Sequence, residues 1–418
     1  MSLTAYQKDF LTALISIKSV GGEPAEGAPY GKAPRAALDF FLKEAEACGF
    51  RTGVLDDRVG WAEIGSGERL IGIVCHLDVV PAGDGWDTDP FTLTFREGNM
   101  YGRGIVDDKG PAAASFFAMR EILSEGGLDH RIRLILGTDE ERTCSCVEYY
   151  DENGEVPDFA ITPDAEFPVI YAEKGILHVK ISGSGTDKIK AEGGSAANMV
   201  APGAVALFSG TEVKVNGKPA HASRPELGIN AINALPEELV LKGFDIGQVP
   251  LLPFIAAFDE KELLIDSDES GSLTANFGIL KIDENESSLI VDIRYPVTAD
   301  KDLLMERLSD MAGQYGLRVA EDSHMAPICF DKDKPEIRKL TSIWRSHIAS
   351  FDGYEEGFDK KYSAPLAIGG GTYARHIRNT VAFGIQTPWQ EDQCHMANEH
   401  MSENNFEETV KMIKEAVR

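Results

Sequence analysis

Acidic residues and histidines recur at one kind of place in this chain, just after a short and wholly apolar run. Leu70–Cys75 runs into His76-Leu77-Asp78, Ile132–Leu136 leads to Asp139-Glu140-Glu141, and Phe159–Ile161 is followed by Asp164. Asp107-Asp108 stands in a glycine-rich loop ahead of a helical stretch, and His395 lies near the end. Almost no lysine or arginine accompanies them. Several carboxylates in one crevice repel strongly unless cations sit among them, so the chemistry open to these residues is that of a metal site. Mixed imidazole and carboxylate donors suit zinc, cobalt or manganese better than calcium or magnesium. In an extended segment residues i and i+2 point the same way, so Asp78 can hold the far nitrogen of His76 and orient its ring. Adjacent residues face different ways, so Glu140 and Glu141 have different roles, and their positions leave open whose is which.

For these groups to meet, the apolar runs must be neighbouring strands. Runs without polar alternation are those of strands covered on both faces, and in an open α/β sheet the ligand crevice lies at the carboxyl ends of the strands. Helices are predicted where Tyr6, Phe10, Leu11, Leu14 and Ile17 recur, where Ala37, Phe40, Phe41 and Ala45 recur, and from about Lys109 to Glu125. From about Gly175 the texture changes to alternating strands, His178–Ile181, Thr211–Val215 and Leu289–Tyr295, then a helical stretch from Asp300 to Tyr315. That combination suits an α+β unit with one solvated sheet face. Helical character resumes around Pro335, and the chain ends in a further α/β stretch containing Leu366–Gly371 and Val381–Gln386. The expected architecture is an α/β catalytic domain, 1–174 plus 336–418, with a phosphorylase/hydrolase-like mixed sheet and helices on both faces. An α+β lid domain, 175–335, is inserted into it.

A formal net charge of −27, spread along 418 residues, repels phosphate backbones and anionic membranes, which argues against nucleic-acid binding. No apolar run approaches the ~18 residues of a membrane span, and Lys8 and Asp9 interrupt the start where a signal peptide needs its apolar core. The expectation is a soluble, cytoplasmic protein. Six cysteines without a CxxC pair fit free thiols in a reducing compartment.

The stretches CHLDVVPAGDGWDTDPF (75–91), YGRGIVDDKGP (101–111), GTDEE (137–141), TPDAEFPVIYAEKG (162–175), GKPAHASRPELGINA (217–231), GGGTYAR (369–375) and CHMANE (394–399) follow one another along the chain. In order and content they resemble the co-catalytic zinc peptidases that include aminoacylase, carnosinase and glutamate carboxypeptidase, and within these the PepV-type bacterial Xaa-His dipeptidases. The resemblance implies two divalent ions per chain, Zn²⁺ first, with Mn²⁺ or Co²⁺ as alternatives. It gives one ion to His76 and Asp164 and the other to Glu141 and His395, with Asp107 bridging them across a cis Asp107–Asp108 peptide. Glu140 matches the family's general base, with Asp78 behind His76, and His221 its oxyanion-stabilising histidine. Arg294, Asn198, Gly369, Gly370, Gly371 and Thr372 match groups that hold the substrate. A dipeptide substrate is implied, and a monomer, because an insertion of about 160 residues resembles the arrangement in which one chain covers its own site. An N-acyl amino acid deacylase or a carboxypeptidase shares the same core, and a non-catalytic binding protein could retain the fold.

Other readings stand beside these. His400 could replace His395 as ligand, Asp108 could bridge in place of Asp107, Arg294 could pair with a surface acid, and His221 could pack within its own domain. His130, His178, His324, His347 and His376 read as structural. The GGGT segment lacks the spacing of a phosphate loop and reads as room for close backbone approach. Cys144 and Cys146 read as buried small residues in a helix start, against a redox switch.

Overall fold

Every residue of Leu70–His76 is buried, as a wholly apolar run between two other strands must be. In this computed structural model, which describes residues 3–264 and 266–418, that strand pairs in parallel with Arg131–Gly137 on one side and Phe159–Thr162 on the other. Phe159–Thr162 in turn pairs in parallel with Thr380–Ala382. Beyond Arg131–Gly137 come Val59–Gly65 and Arg51–Leu55, both antiparallel, so the sheet is mixed. Register sets Cys75 opposite Leu136 and His76 opposite Gly137. The segments that leave these strands, each carrying acidic residues, therefore start level with one another.

On one face of the sheet pack helices Lys32–Ala47 and Lys109–Glu125, with Ala5–Ser16 and Glu403–Val417 packed in turn on Lys109–Glu125, and an aromatic cluster joins them. Phe10 stacks on Phe116 at 5.0 Å and meets Phe41 edge-on at 5.4 Å, and Phe117 meets Phe406 at 6.2 Å. The other face packs Val59, Val74, Ile135 and Ala160 against Cys146, Val147 and Tyr150 of helix Ser145–Asn153 and against Tyr373. Alternation along the strand explains the sorting: Cys75 faces Ser115 of helix Lys109–Glu125, whereas Val74 lies in the opposite cluster.

The chain divides into two units. The first comprises Met1–Tyr171, Phe330–Leu366 and Thr372–Arg418, the second Ala172–Cys329 and Ala367–Gly371. The second has an antiparallel seven-stranded sheet, in the order Thr211–Asn216, Gly203–Phe208, Lys190–Gly193, Thr274–Ile282, Glu286–Tyr295, Gly175–Ser184, Arg318–Met325. Helices Ala231–Leu241, Leu251–Ala257 and Lys301–Gly313 share its core, with Leu235, Leu239, Phe254 and Leu308 packed among Leu289, Val291 and Ile293. Composition places the cuts at 174/175 and 335/336; it has no mark for the return of Ala367–Gly371 to the second unit. The helix predicted from Asp300 begins at Lys301, because Asp300 is its cap and accepts from the amides of Asp302 and Leu303. Leu366–Gly371 is strand only to Ile368.

The Asp107–Asp108 peptide is cis, and helix Lys109–Glu125 starts directly after it. Gly110, in that first turn, donates to Gly104 O at 3.0 Å, and a Cβ there would sit 1.9 Å from Ile105 O. Overpacking against backbone costs typically ~1–3 kcal/mol, so Gly110→Ala is expected to destabilise the first unit by about that much. Chemical denaturation should show the lowered midpoint, and an unchanged midpoint would contradict the close packing.

Candidate metal centre

Asp107 lies between two imidazoles. Its Oδ1 is 3.0 Å from His76 Nε2 and its Oδ2 3.2 Å from His395 Nε2. Around the first histidine, Asp164 Oδ2 is at 3.6 Å and Glu140 Oε2 at 3.9 Å from Nε2; around the second, Glu141 Oε2 is at 3.0 Å. Two sets of donor atoms, His76/Asp107/Asp164 and Asp107/Glu141/His395, each lie within 4.8 Å of one another and share Asp107. The pleat and register explain three of these residues, since His76 ends one parallel strand while Glu140–Glu141 and Asp164 follow its two neighbours. His395 instead comes from a turn, with φ +66°, in the left-handed region that histidine enters more readily than most residues. His400 does not join either set: it stacks on Tyr101 at 4.7 Å, and its Nδ1 lies 2.9 Å from Asn398 O.

Asp78 braces the site differently from the i, i+2 expectation. His76 Nδ1 is closest to the main-chain oxygen of Asp78, at 3.0 Å, with the carboxylate at 3.5 Å. That carboxylate accepts the backbone N–H groups of Glu140 and Glu141, each at 3.1 Å. One buried acid thus fixes the ring plane of His76 and the start of the acidic pair together. Asp108 accepts the His76 backbone N–H at 2.8 Å and is fully buried, so it supports the histidine from behind.

Glu399 is the counterpart on the other side. It is fully buried and accepts from Arg103 Nη1 at 2.6 Å and from the amides of Gly104, Val106 and Asp107 at 3.0, 2.7 and 3.2 Å. The guanidinium of Arg103 lies 5.3 Å from the Trp86 ring and also donates to Ala82 O. The sequence reading gave Glu399 and Arg103 no role; an arginine inside YGRG and a glutamate four residues after His395 were the available signals. Lys109, the cation nearest in sequence, points its buried ammonium at Leu14 O and Ile17 O, and burial lowers it to about 7.

Charge in the cluster is balanced poorly by protein groups alone. Burial, then Asp108 and Asp107, push the Asp164 carboxyl well above the carboxylate range, and burial raises Glu140 to about 7. Burial pulls His76 down, yet hydrogen bonding to Asp107 and Asp78 overrides it and holds the ring well above its ordinary value. Asp107 and then Glu141 raise His395 to about 10. Positive charge is therefore stabilised strongly where the carboxylates converge. Two imidazoles with three carboxylates form a mixed nitrogen and oxygen donor set suited to zinc-like divalent ions.

The other predicted residues belong to the second unit, except Thr372. His221 Nδ1 accepts the Ser223 backbone N–H at 3.1 Å and lies 2.7 Å from Ser223 Oγ, so in the neutral ring the proton sits on Nε2. Asn198 O accepts the Ala222 N–H at 2.9 Å. Arg294 is buried and forks onto Asp292, Nε to Oδ1 at 2.6 Å and Nη2 to Oδ2 at 2.8 Å, while Nη1 donates to Gly369 O at 3.1 Å. Its acid partner is thus a buried residue of its own strand. Gly369, Gly370 and Gly371 follow the short strand Leu366–Ile368, and Thr372 caps the turn Tyr373–His376 by accepting from Ala374. Cys144 and Cys146 are buried free thiols, and burial pushes both up, Cys146 to about 12.

Peptidases with this two-unit architecture are known from solved structures. Aminoacylhistidine dipeptidase from Vibrio alginolyticus has a TM-score of 0.62 at 13% identity, covering 100% of this chain and 98% of its own. Human carnosine dipeptidase 1 has a TM-score of 0.60 at 17% identity, covering 99% and 96%. These likenesses are of fold. At the level of sequence, "Putative dipeptidase YtjP" of Bacillus subtilis (strain 168) is 33% identical over 437 residues, covering 94% of this chain and 91% of its own length. Residues 72–418 match the profile of peptidase family M20/M25/M40, and the chain belongs to that family. Among the described residues no helix is long and apolar enough to cross a membrane.

At pH 8, above the value of about 7 to which burial raises Glu399, its carboxylate is the buried partner of Arg103. Removing one partner of a buried pair costs about 3–5 kcal/mol, so Glu399→Ala should lose that much stability at pH 8. A denaturation midpoint within error of wild type would show that Arg103 does not depend on it.

Proposed function

We propose that the protein is a metal-dependent dipeptidase that holds two divalent ions at Asp107 and hydrolyses the peptide bond of a dipeptide. The observation that carries this reading is the split of Asp107, with one carboxylate oxygen beside His76 and the other beside His395. His76 and Asp164 would hold one ion, Glu141 and His395 the other. Zinc suits the donors, and manganese or cobalt fit the same set. The dipeptidase names of the Bacillus, Vibrio and human relatives support the substrate class.

Two such ions, when bound, acidify water and polarise the scissile carbonyl. The remaining steps belong to side chains of this chain. Glu140, whose backbone is fixed by Asp78 and whose carboxylate is partly exposed, takes the proton of the attacking water and returns it to the leaving amine. His221, with its proton on Nε2, donates to the developing oxyanion. Arg294 and the Gly369–Thr372 segment orient the terminal carboxylate, with Asn198 beside His221. The second unit acts as a lid because it brings His221, and the chain works as a monomer.

Elemental analysis of protein loaded with Zn²⁺, Mn²⁺ or Co²⁺ should give about two ions per chain, and His395→Ala should lose one. A chelator should abolish turnover of a dipeptide panel and re-added metal restore it; faster turnover of N-acyl amino acids than of any dipeptide would instead identify a deacylase.

General-base catalysis contributes typically 10²–10⁴-fold, so Glu140→Gln should lower kcat by about that factor while metal content stays near wild type. Loss of one oxyanion donor costs about 10²–10³-fold, which is the fall expected for His221→Ala. Near-normal kcat in either variant would remove that residue from the mechanism.

A further inference from the structure

A row of polar side chains crosses the sheet of the second unit. Ser323 pairs with His178, His178 with Asp292 and Asp292 with Asn276, on neighbouring strands. Paired residues of antiparallel strands send their side chains to the same face. Leu177, Val179, Val291 and Ile293, which flank the row along its strands, lie in the hydrophobic core, so the row is on the face away from it. The edge strand reaches this register through an irregularity between Glu321 and Ser323. A regular ladder, continuing from Glu321 opposite Val179, would set Asp322 against His178; the extra residue sets a hydroxyl there instead.

Hydrogen bonds join the row to Arg294. An ionised carboxylate only accepts, so His178 Nε2, 3.1 Å from Asp292 Oδ2, carries a proton and donates it. In the neutral ring Nδ1 is then the acceptor, and the Ser323 hydroxyl donates to it at 3.0 Å. Asp292 Oδ2 also accepts from Arg294 Nη2 at 2.8 Å, and Oδ1 accepts from Nε at 2.6 Å. Burial pushes the Asp292 carboxyl up, yet the hydrogen bonds from His178 and then Arg294 override it and hold it below its ordinary value. With Nη1 on Gly369 O, three of the five guanidinium N–H groups are engaged. Among the described residues the other two have no partner, one on each terminal nitrogen, an arrangement that takes a carboxylate in two-pronged fashion.

We infer that His178 is a positioning residue for recognition of the substrate's terminal carboxylate. Its Nε2–H holds Asp292, and Asp292 holds the guanidinium plane of Arg294 with the remaining pair of donors presented. This role rests on the dipeptidase reading, in which Arg294 takes the terminal carboxylate.

The test is steady-state kinetics of metal-loaded wild type, His178→Phe and His178→Gln on Ala-Ala and on Ala-Ala amide, which lacks the terminal carboxylate. Phenylalanine fills the space without a donor, whereas glutamine restores an N–H. A hydrogen bond to a charged group is worth about 10-fold, so His178→Phe should raise KM for Ala-Ala by about 10-fold, leave kcat within about 2-fold, and change kcat/KM for the amide by less than about 2-fold. His178→Gln should stay near wild type on both. An unchanged KM for Ala-Ala, a fall in kcat alone, or equal losses on acid and amide would overturn the assignment. Wild type turning over the amide as well as the acid would defeat the carboxylate role of Arg294, and this role with it; wild type turning over neither would defeat the dipeptidase reading. Both variants should melt with wild type, since the His178 ring lies outside the core, and a phenylalanine variant that lost activity only as it lost fold would count against the role.

Discussion

Asp107 has to keep a carboxylate oxygen within reach of each of two imidazoles, while burial and like charge oppose gathering acids around it. Much of the first unit is arranged to meet that constraint. Parallel strands in register bring His76, Glu140, Glu141 and Asp164 to one end of the sheet. Asp78 ties the acidic pair to the histidine strand, and Glu399 grips the loop that presents Asp107. Neither brace belongs to the two donor sets, yet each fixes backbone on either side of the centre, so the carboxylates are held in place against their own repulsion.

Sequence patterns carried the parts of this arrangement that depend on local chemistry. The wholly apolar runs marked covered strands, and Lys109–Glu125 is a helix over the span its composition suggests. The histidines and acids at strand ends could be read as a converging set because parallel strands share one direction. Asp78 was legible only in part: spacing placed it behind His76, but which of its oxygens serves the ring and which the amides depends on where Glu140 and Glu141 arrive. Arg103 and Glu399 were not legible as a pair, since they lie 296 residues apart and neither alone departs from a surface charge in appearance. The same holds for Arg294 and Gly369, which meet only because five residues near the end return to the second unit.

Within the second unit, neighbouring groups fix protonation and orientation without concentrating charge. The Ser223 amide selects the His221 tautomer, and Asp292 fixes the plane of Arg294 while balancing its charge. His178 Nε2 lies 3.1 Å from the same Asp292, which makes that buried acid shared between two cations or donors.

The place of Thr380–Ala382 in the sheet has a consequence for biosynthesis. This strand lies beside Phe159–Thr162, yet more than two hundred residues separate them along the chain, and helix Glu403–Val417 follows later still. A ribosome delivers nearly all of the second unit, Ala172–Cys329, before it delivers the strand that completes the first sheet or the glutamate that grips the Asp107 loop. The earlier-made half of the first unit must wait with one flank of Phe159–Thr162 unpaired and Arg103 without its acid, an aggregation hazard during translation. The second unit is free to fold in that interval, so its rapid collapse would shorten the effective loop that the last strand has to close.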